Sequence, residues 1–159
     1  GNADGTAADA RRDTPLLRLI QSLGEEKIRF QIVGMTAAVL QGVMVTTFDT
    51  DIWVDLPKRQ YIRLTNLCIG QGGMSMSPTV YVLSDGRVIN FLFEVTGLNS
   101  FGWEYRRAES RMLEGIPVKV LPLERILKSK KTIMRDKDQA HIFHIERVIA
   151  ARKEMGETK

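Results

Sequence analysis

Apolar positions recur along this chain with two different periods, and the switches between them mark out its elements. Thr14-Pro15 reads as an N-cap with proline in the first helical position, and Leu16, Leu17, Ile20 and Leu23 then form a stripe that predicts a helix to about Lys27. From Phe30 to Leu56 an apolar run ends at Gly34, a short helical pattern covers Thr36 to Leu40, and a second apolar run opens at Asp49: strand, helix, strand. Pro57 opens another helix, with Tyr61, Leu64 and Cys68 at helical spacing until Gly70, Gly72 and Gly73 end it. Thr79 to Leu83 and Arg87 to Glu94 are β-rich runs joined by Ser84-Asp85-Gly86, which predicts a hairpin. Residues Val95 to Arg111 read as a loop with a short helix, whose Phe101, Trp103 and Tyr105 serve either to anchor the loop or as a substrate-facing lid. A last strand is expected from Ile116 to Leu121. Pro122 then turns the chain into a helical pair, Leu123 to Met134 and Lys137 to Ala151, with Ile142, Ile145, Val148 and Ile149 facing the core.

This order predicts an α+β fold: a small, mixed, strongly twisted sheet with flanking helices on one side and the C-terminal helical pair closing a cleft. A doubly wound nucleotide fold is disfavoured, because no G-x-G-x-x-G follows a strand and the hairpin is antiparallel. Residues 14–155 are expected to form a single domain. Residues 1–13 are small and polar without periodicity, the pattern of a disordered tail.

The chemistry centres on Asp49-Thr50-Asp51 at the lip of the second run. Alternation in an extended chain points Asp49 and Asp51 to one side, while Ile52, Val54 and Leu56 fill the other. Two carboxylates held that close repel, and a site that retains them supplies a divalent cation or a shared proton. The bland alternative is a pair of solvated acids at a strand entrance.

At this point the chain resembles the nucleotidyltransferase superfamily that includes DNA polymerase β. The signature of that family is an apolar residue, Gly, then Gly or Ser, nine to thirteen residues and Asp-apolar-Asp; here Val33-Gly34-Met35 precedes Asp49-Thr50-Asp51 by thirteen residues. Thr47-Phe48-Asp49-Thr50-Asp51-Ile52 is similar to the T-x-D-I-D-L of small bacterial members, including toxin–antitoxin and abortive-infection relatives. A second block, LKSKKTIMRDKD from Leu127 to Asp138, resembles their L-x-x-K-x-x-x-x-R-x-K-D helix through Lys130, Arg135, Lys137 and Asp138. The likeness spans roughly residues 15–150 and implies a Mg²⁺-dependent transfer of a nucleoside monophosphate from a triphosphate to an acceptor hydroxyl, on RNA, protein or a small molecule. It makes Asp49 and Asp51 metal ligands, and makes the backbone of Gly34, Met35 and Thr36 a phosphate turn. It also brings Lys130, Arg135 and Lys137 to an anionic ligand, although six basic residues between Arg125 and Lys137 are equally the mark of a solvated helix face.

Two departures stand out. Met35 offers no hydroxyl where Gly or Ser is expected, leaving its backbone N–H and the neighbouring Thr36 oxygen. The third acid of the family, the Asp of an I-D-L on the strand after the hairpin, matches Asn90 in Ile89-Asn90-Phe91-Leu92. Asparagine can ligate weakly but is no base at neutral pH, and Glu94 substitutes only if the backbone shifts. This leaves a second expectation open, a non-catalytic nucleotide-binding or antitoxin-like module with a partner protein.

Composition changes this picture little. The 159 residues are 43% hydrophobic and 26% charged, as for one globular domain. The longest apolar region falls short of the ~20 residues that span a bilayer, and without a secretory pattern the expected compartment is the cytoplasm. Cys68 alone forms no internal disulfide and reads as a buried thiol. A net charge of +4 suits an anionic ligand. His141 and His144 lie one turn apart without further metal ligands at characteristic spacing, so they read as structural or solvated.

Overall fold

The computed structural model describes residues 13–156; the tail expected at 1–13 lies, but for Asp13, outside the described residues. Helix α1 (Pro15–Glu25) starts where the pattern places it, with the Thr14 hydroxyl accepting from Leu17 N–H and proline in the first turn. Strand β1 (Phe30–Val33) runs into helix α2 (Gly34–Leu40), and β2 (Asp49–Val54) returns antiparallel beside β1. A 3₁₀ turn (Lys58–Gln60) leads into α3 (Ile62–Gly70), followed by β3 (Met74–Ser75), β4 (Val80–Val82) and β5 (Val88–Leu92). Helix α4 (Phe101–Arg107), the hairpin β6 (Glu109–Leu113) and β7 (Ile116–Val120), and helices α5 (Leu123–Ile133) and α6 (Asp136–Glu154) complete the chain.

The strands form one mixed sheet in the order β3-β4-β5-β2-β1-β7-β6. β2 is central, antiparallel to β1 and parallel to β5. Because side chains alternate, the sheet has two distinct faces. On one, Ile32, Ile52, Ile89, Phe91, Tyr81 and Val120 are buried in register. Helix α3 covers this face: Tyr81 reaches the Thr65 hydroxyl and donates to Pro78 O at 2.7 Å. Cys68 is wholly buried here, and burial pushes its thiol pKa up to about 12, so it packs as an inert apolar group.

The opposite face carries Asp49, Asp51 and Trp53 on β2 and Asn90 and Leu92 on β5. It is covered only in part. Phe101 of α4 meets Trp53 edge-on with ring centres 5.5 Å apart, and Tyr105 stacks on Phe101 at 5.2 Å. Helices therefore lie on both faces, where the pattern implied one side with the C-terminal pair as a closure. These aromatics anchor α4 and the loop before it, the first of the two roles expected for them. A buried Glu104 secures the same segment, accepting from Arg125 Nη2 at 2.7 Å and Arg125 Nε at 2.9 Å, and from Asn99 N–H at 3.0 Å.

Strand β6 corrects the reading of Val95–Arg111 as loop and short helix, since its first three residues fall there. As an edge strand with Glu109, Ser110 and Arg111 partly in water, it lacks the apolar alternation that reveals a central strand. The legible signal was its turn: Glu114 and Gly115 both have positive φ, 50° and 90°, and Leu113 pairs with Ile116. That is a two-residue hairpin of the primed kind, which favours glycine.

Candidate active site

The helical turn after β1 and the first residues of β2 meet at one point. Gly34 has φ +65°, and a Cβ added there would overlap the Asp51 carboxylate. The Gly34 position is thus chosen by the acid behind it as much as by any ligand in front. The hydroxyl of Thr36 donates to Asp49 O at 2.8 Å, as does that of Thr47 at 3.0 Å. The expected role of Thr36 as a phosphate-facing oxygen is corrected on this point: its proton is committed to holding α2 against the start of β2. Met35 turns its side chain into the core, 7% exposed.

Asp51 pairs across the parallel β2–β5 register with Asn90, whose amide Nδ2 donates to Asp51 Oδ1 at 3.4 Å. Asn90 therefore shares the face and the neighbourhood of the acids. The Asp51 pKa is raised above the ordinary carboxylate value, first by burial and further by the charge of Asp49, with the Asn90 hydrogen bond, Lys130 and Lys137 opposing. A group in that condition favours any cation that would take the place of a proton.

The second sequence block closes the other wall. A cleft of about 140 Å³ is lined by Gly34, Asp51, Glu94, Lys130 and Arg135, with Ile126 and Ile133 among its apolar residues. Lys130 is 9% exposed. It donates to Asp138 Oδ1 at 3.3 Å, and its Nζ lies 3.1 Å from His141 Nδ1. Asp138, fully buried at the start of α6, also accepts from Arg135 Nε at 2.9 Å and from Arg135 N–H at 3.0 Å, a capping box that joins α5 to α6. The Arg135 hydrogen bond holds the Asp138 carboxyl far below its usual range, against the effect of burial. Burial lowers the Lys130 pKa, with Asp138 pulling the other way.

Of the residues predicted from sequence, Gly34, Asp51, Lys130 and Arg135 converge on this cleft, with Asn90 bonded to Asp51. Asp49, two residues before Asp51 on the same face of β2, is exposed and does not line the cleft. Lys137 is exposed and does not line the cleft, and it acts on Asp51 only through its charge. Glu94 is exposed past the end of β5 and lines the same cleft. A second groove, about 610 Å³, continues from Glu94, Val95 and Thr96 over Trp53 and along the segment to Phe101. The contact of His141 with Lys130 is a feature that sequence reading missed. Its signal was the i, i+3 spacing from Asp138, which puts both side chains on one helix face.

The donor set can be tested against the Mg²⁺ that the resemblance implies. Asp49 and Asp51 offer hard oxygen ligands from one strand face, and Asn90 adds a neutral amide. No group of three acidic, histidine or cysteine side chains suited to a metal occurs among the described residues. This set fits one Mg²⁺, which commonly takes one or two carboxylates and completes its shell with water and phosphate oxygens. It does not fit a pair of ions.

No family model matches the sequence, and none of the curated proteins does. Among solved structures, the chain is similar to the crystal structure of ANT(2'')-Ia in complex with adenylyl-2''-tobramycin, with a TM-score of 0.57, 14% identity and 86% of each chain covered. The fold is nucleotidyltransferase-like. Weaker likenesses join it to the solution structure of ANT(2'')-Ia (TM-score 0.49, 15% identity, 96% of this chain and 94% of that one) and to TM1012 of Thermotoga maritima, a candidate nucleotidyltransferase (TM-score 0.47, 18% identity, 90% and 91%). No helix among the described residues is long and apolar enough to cross a membrane.

Proposed function

We propose that the cleft between the β2 lip and the α5–α6 junction binds a nucleoside triphosphate with one Mg²⁺ and directs transfer of its nucleoside monophosphate to an acceptor hydroxyl. The observation that carries this reading is the convergence of Gly34, Asp51, Lys130 and Arg135, from two separate sequence blocks, on one cleft. Asp49 and Asp51 would hold the ion, which when bound neutralises phosphate charge and orients the α-phosphate. Lys130 and Arg135 supply positive charge for the departing pyrophosphate, and the backbone N–H groups of the first turn of α2, at Gly34, Met35 and Thr36, would offer hydrogen bonds to the triphosphate. The groove over Trp53, which shares Glu94, Val95 and Thr96 with the cleft and is lined by neither of those cations, would give an acceptor access. As the acceptor oxygen bonds to the α-phosphorus, the bond from that phosphorus to the bridging β-phosphate oxygen breaks and pyrophosphate leaves; Asn90 cannot take the hydroxyl proton, which passes to solvent directly or through Glu94 in the lining of the same cleft. Acceptors of this kind are consistent with the relative that holds adenylyl-2''-tobramycin, an adenylylated small molecule; RNA and protein hydroxyls are the other candidates.

Asn90 favours a second reading, a nucleotide-binding module that retains affinity but little rate and works with a partner protein, as an antitoxin-like protein would. Loss of a base lowers the rate without removing ground-state contacts. The test is triphosphate binding with and without Mg²⁺, with labelled-nucleotide transfer as second readout. Asp51→Ala is expected to abolish the Mg²⁺-dependent part of binding. Binding unchanged by that substitution would overturn both readings, whereas tight binding without transfer to any RNA, protein or small-molecule acceptor selects the module.

A further inference from the structure

An ammonium that is 9% exposed is costly unless its donors are used. Lys130 has three N–H donors. One meets Asp138 Oδ1 at 3.3 Å and another faces His141 Nδ1 at 3.1 Å, which leaves one for whatever enters the cleft beside Asp51. We propose that His141 is a positioning residue: as the neutral tautomer with its proton on Nε2, it accepts from Lys130 through Nδ1 and so aims the remaining Lys130 donor at the phosphates of the bound nucleotide. This rests on the nucleotide reading above, and it concerns a residue outside the two blocks that suggested that reading.

Asp138 by itself is a poor guide for the ammonium. Both of its oxygens are shared with Arg135, which donates to Oδ2 at 2.9 Å and to Oδ1 at 3.3 Å. A single long bond leaves the flexible lysine stem free to turn. A second acceptor three residues along the same helix removes that freedom. The arrangement works only while His141 is neutral, because the imidazolium has N–H on both nitrogens and would set a donor and a positive charge against the ammonium.

The surroundings keep His141 neutral. Burial lowers its pKa from the ordinary 6.5; Lys130 from α5, and Lys137 and His144 from its own helix, act in the same direction, with Asp138 opposing. Lys130 in turn feels Asp138, Arg135 and Asp51. The Lys130–His141 contact is therefore complete at neutral pH and is lost as pH falls through the lowered His141 value.

The experiment compares wild type, His141→Asn and His141→Leu by the dissociation constant of a nucleoside triphosphate with Mg²⁺, from roughly pH 5.5 to 8. Asparagine presents an amide oxygen in place of Nδ1 and does not titrate. His141→Leu is expected to bind about tenfold more weakly at the alkaline end, and His141→Asn close to wild type. Wild type should then lose affinity relative to His141→Asn on acidification, protonation of the nucleotide itself being common to both. An asparagine variant as weak as the leucine variant, or parallel pH profiles for wild type and asparagine across the His141 pKa read by NMR, would overturn the proposal. In the free protein, ring-nitrogen NMR should show Nδ1 of His141 without a proton at neutral pH, and Lys130→Met should raise the His141 pKa. A proton on Nδ1, or a pKa indifferent to Lys130→Met, overturns the contact whether or not nucleotide binds. Failure of all three proteins to bind triphosphate would overturn the nucleotide reading and the phosphate role of Lys130, and the spectra would then decide the contact on their own.

Discussion

Gly34→Ala tests the architecture of the site without assuming any ligand. Gly34 sits at φ +65° with no room for a Cβ, because the Asp51 carboxylate occupies the space. An L-residue in that backbone region costs about 1–2 kcal/mol. Displacing a packed side chain by overfilling adds about 1–3 kcal/mol. The sum is roughly 2–5 kcal/mol, and at about 2–4 °C per kcal/mol for a domain of this size the thermal midpoint should fall by several degrees to well over ten. The two contributions separate in a double-mutant cycle with Asp51→Ala. That single change removes a carboxylate whose pKa is raised chiefly by burial, a group that weakens the metal-free fold at neutral pH, so by itself it should be neutral or mildly stabilising. In the Asp51→Ala background the collision is gone and only the backbone strain of an alanine at the glycine position remains, which predicts a coupling of about 1–3 kcal/mol. The assay is urea or thermal unfolding of the four proteins in metal-free buffer. If Gly34→Ala costs the same with and without the Asp51 side chain, the close approach of these two residues is not what holds the glycine.

Two further outcomes follow from the polar contacts. Asn90→Asp replaces a donor to Asp51 by a third negative charge, so in metal-free buffer it should cost about 1.5–3 kcal/mol, with the loss recovered as Mg²⁺ and triphosphate are added. A midpoint identical to wild type at every Mg²⁺ concentration would contradict the shared site. Asp138→Asn strips a buried charge from Lys130 and Arg135 and should cost about 3–5 kcal/mol near neutral pH. Because the folded pKa of Asp138 is depressed, its contribution is fully present above the unfolded carboxylate value of about 3.9 and is lost as pH falls through the folded value. The wild-type acid limb below pH ~4 should therefore be steeper than that of the variant, and equal slopes would refute the assignment.

Local pattern was enough to place Thr14-Pro15 at a helix start, Asp85-Gly86 in a hairpin, and Asp49 and Asp51 on one side of β2, since capping chemistry, turn chemistry and strand parity depend on neighbours in sequence. Even the Asn90 problem was visible, because the parity of β5 sets which of its residues share a face. Other features depended on packing between distant segments. The register that brings Asn90 to Asp51 joins residues 39 apart, and nothing within either strand specifies it. The edge strand β6 depends on pairing with β7 rather than on apolar alternation, so its pattern was mute although its turn was not. Whether Lys130 lay in solvent or in the cleft could not follow from helical spacing, since a basic stripe reads the same either way until a partner helix covers it. The fold answers by burying Asp138 at the α5–α6 junction, where the energy of an unpaired carboxylate compels Lys130 to turn inward and draws the half-exposed Arg135 across it, and His141 follows from the same helix face.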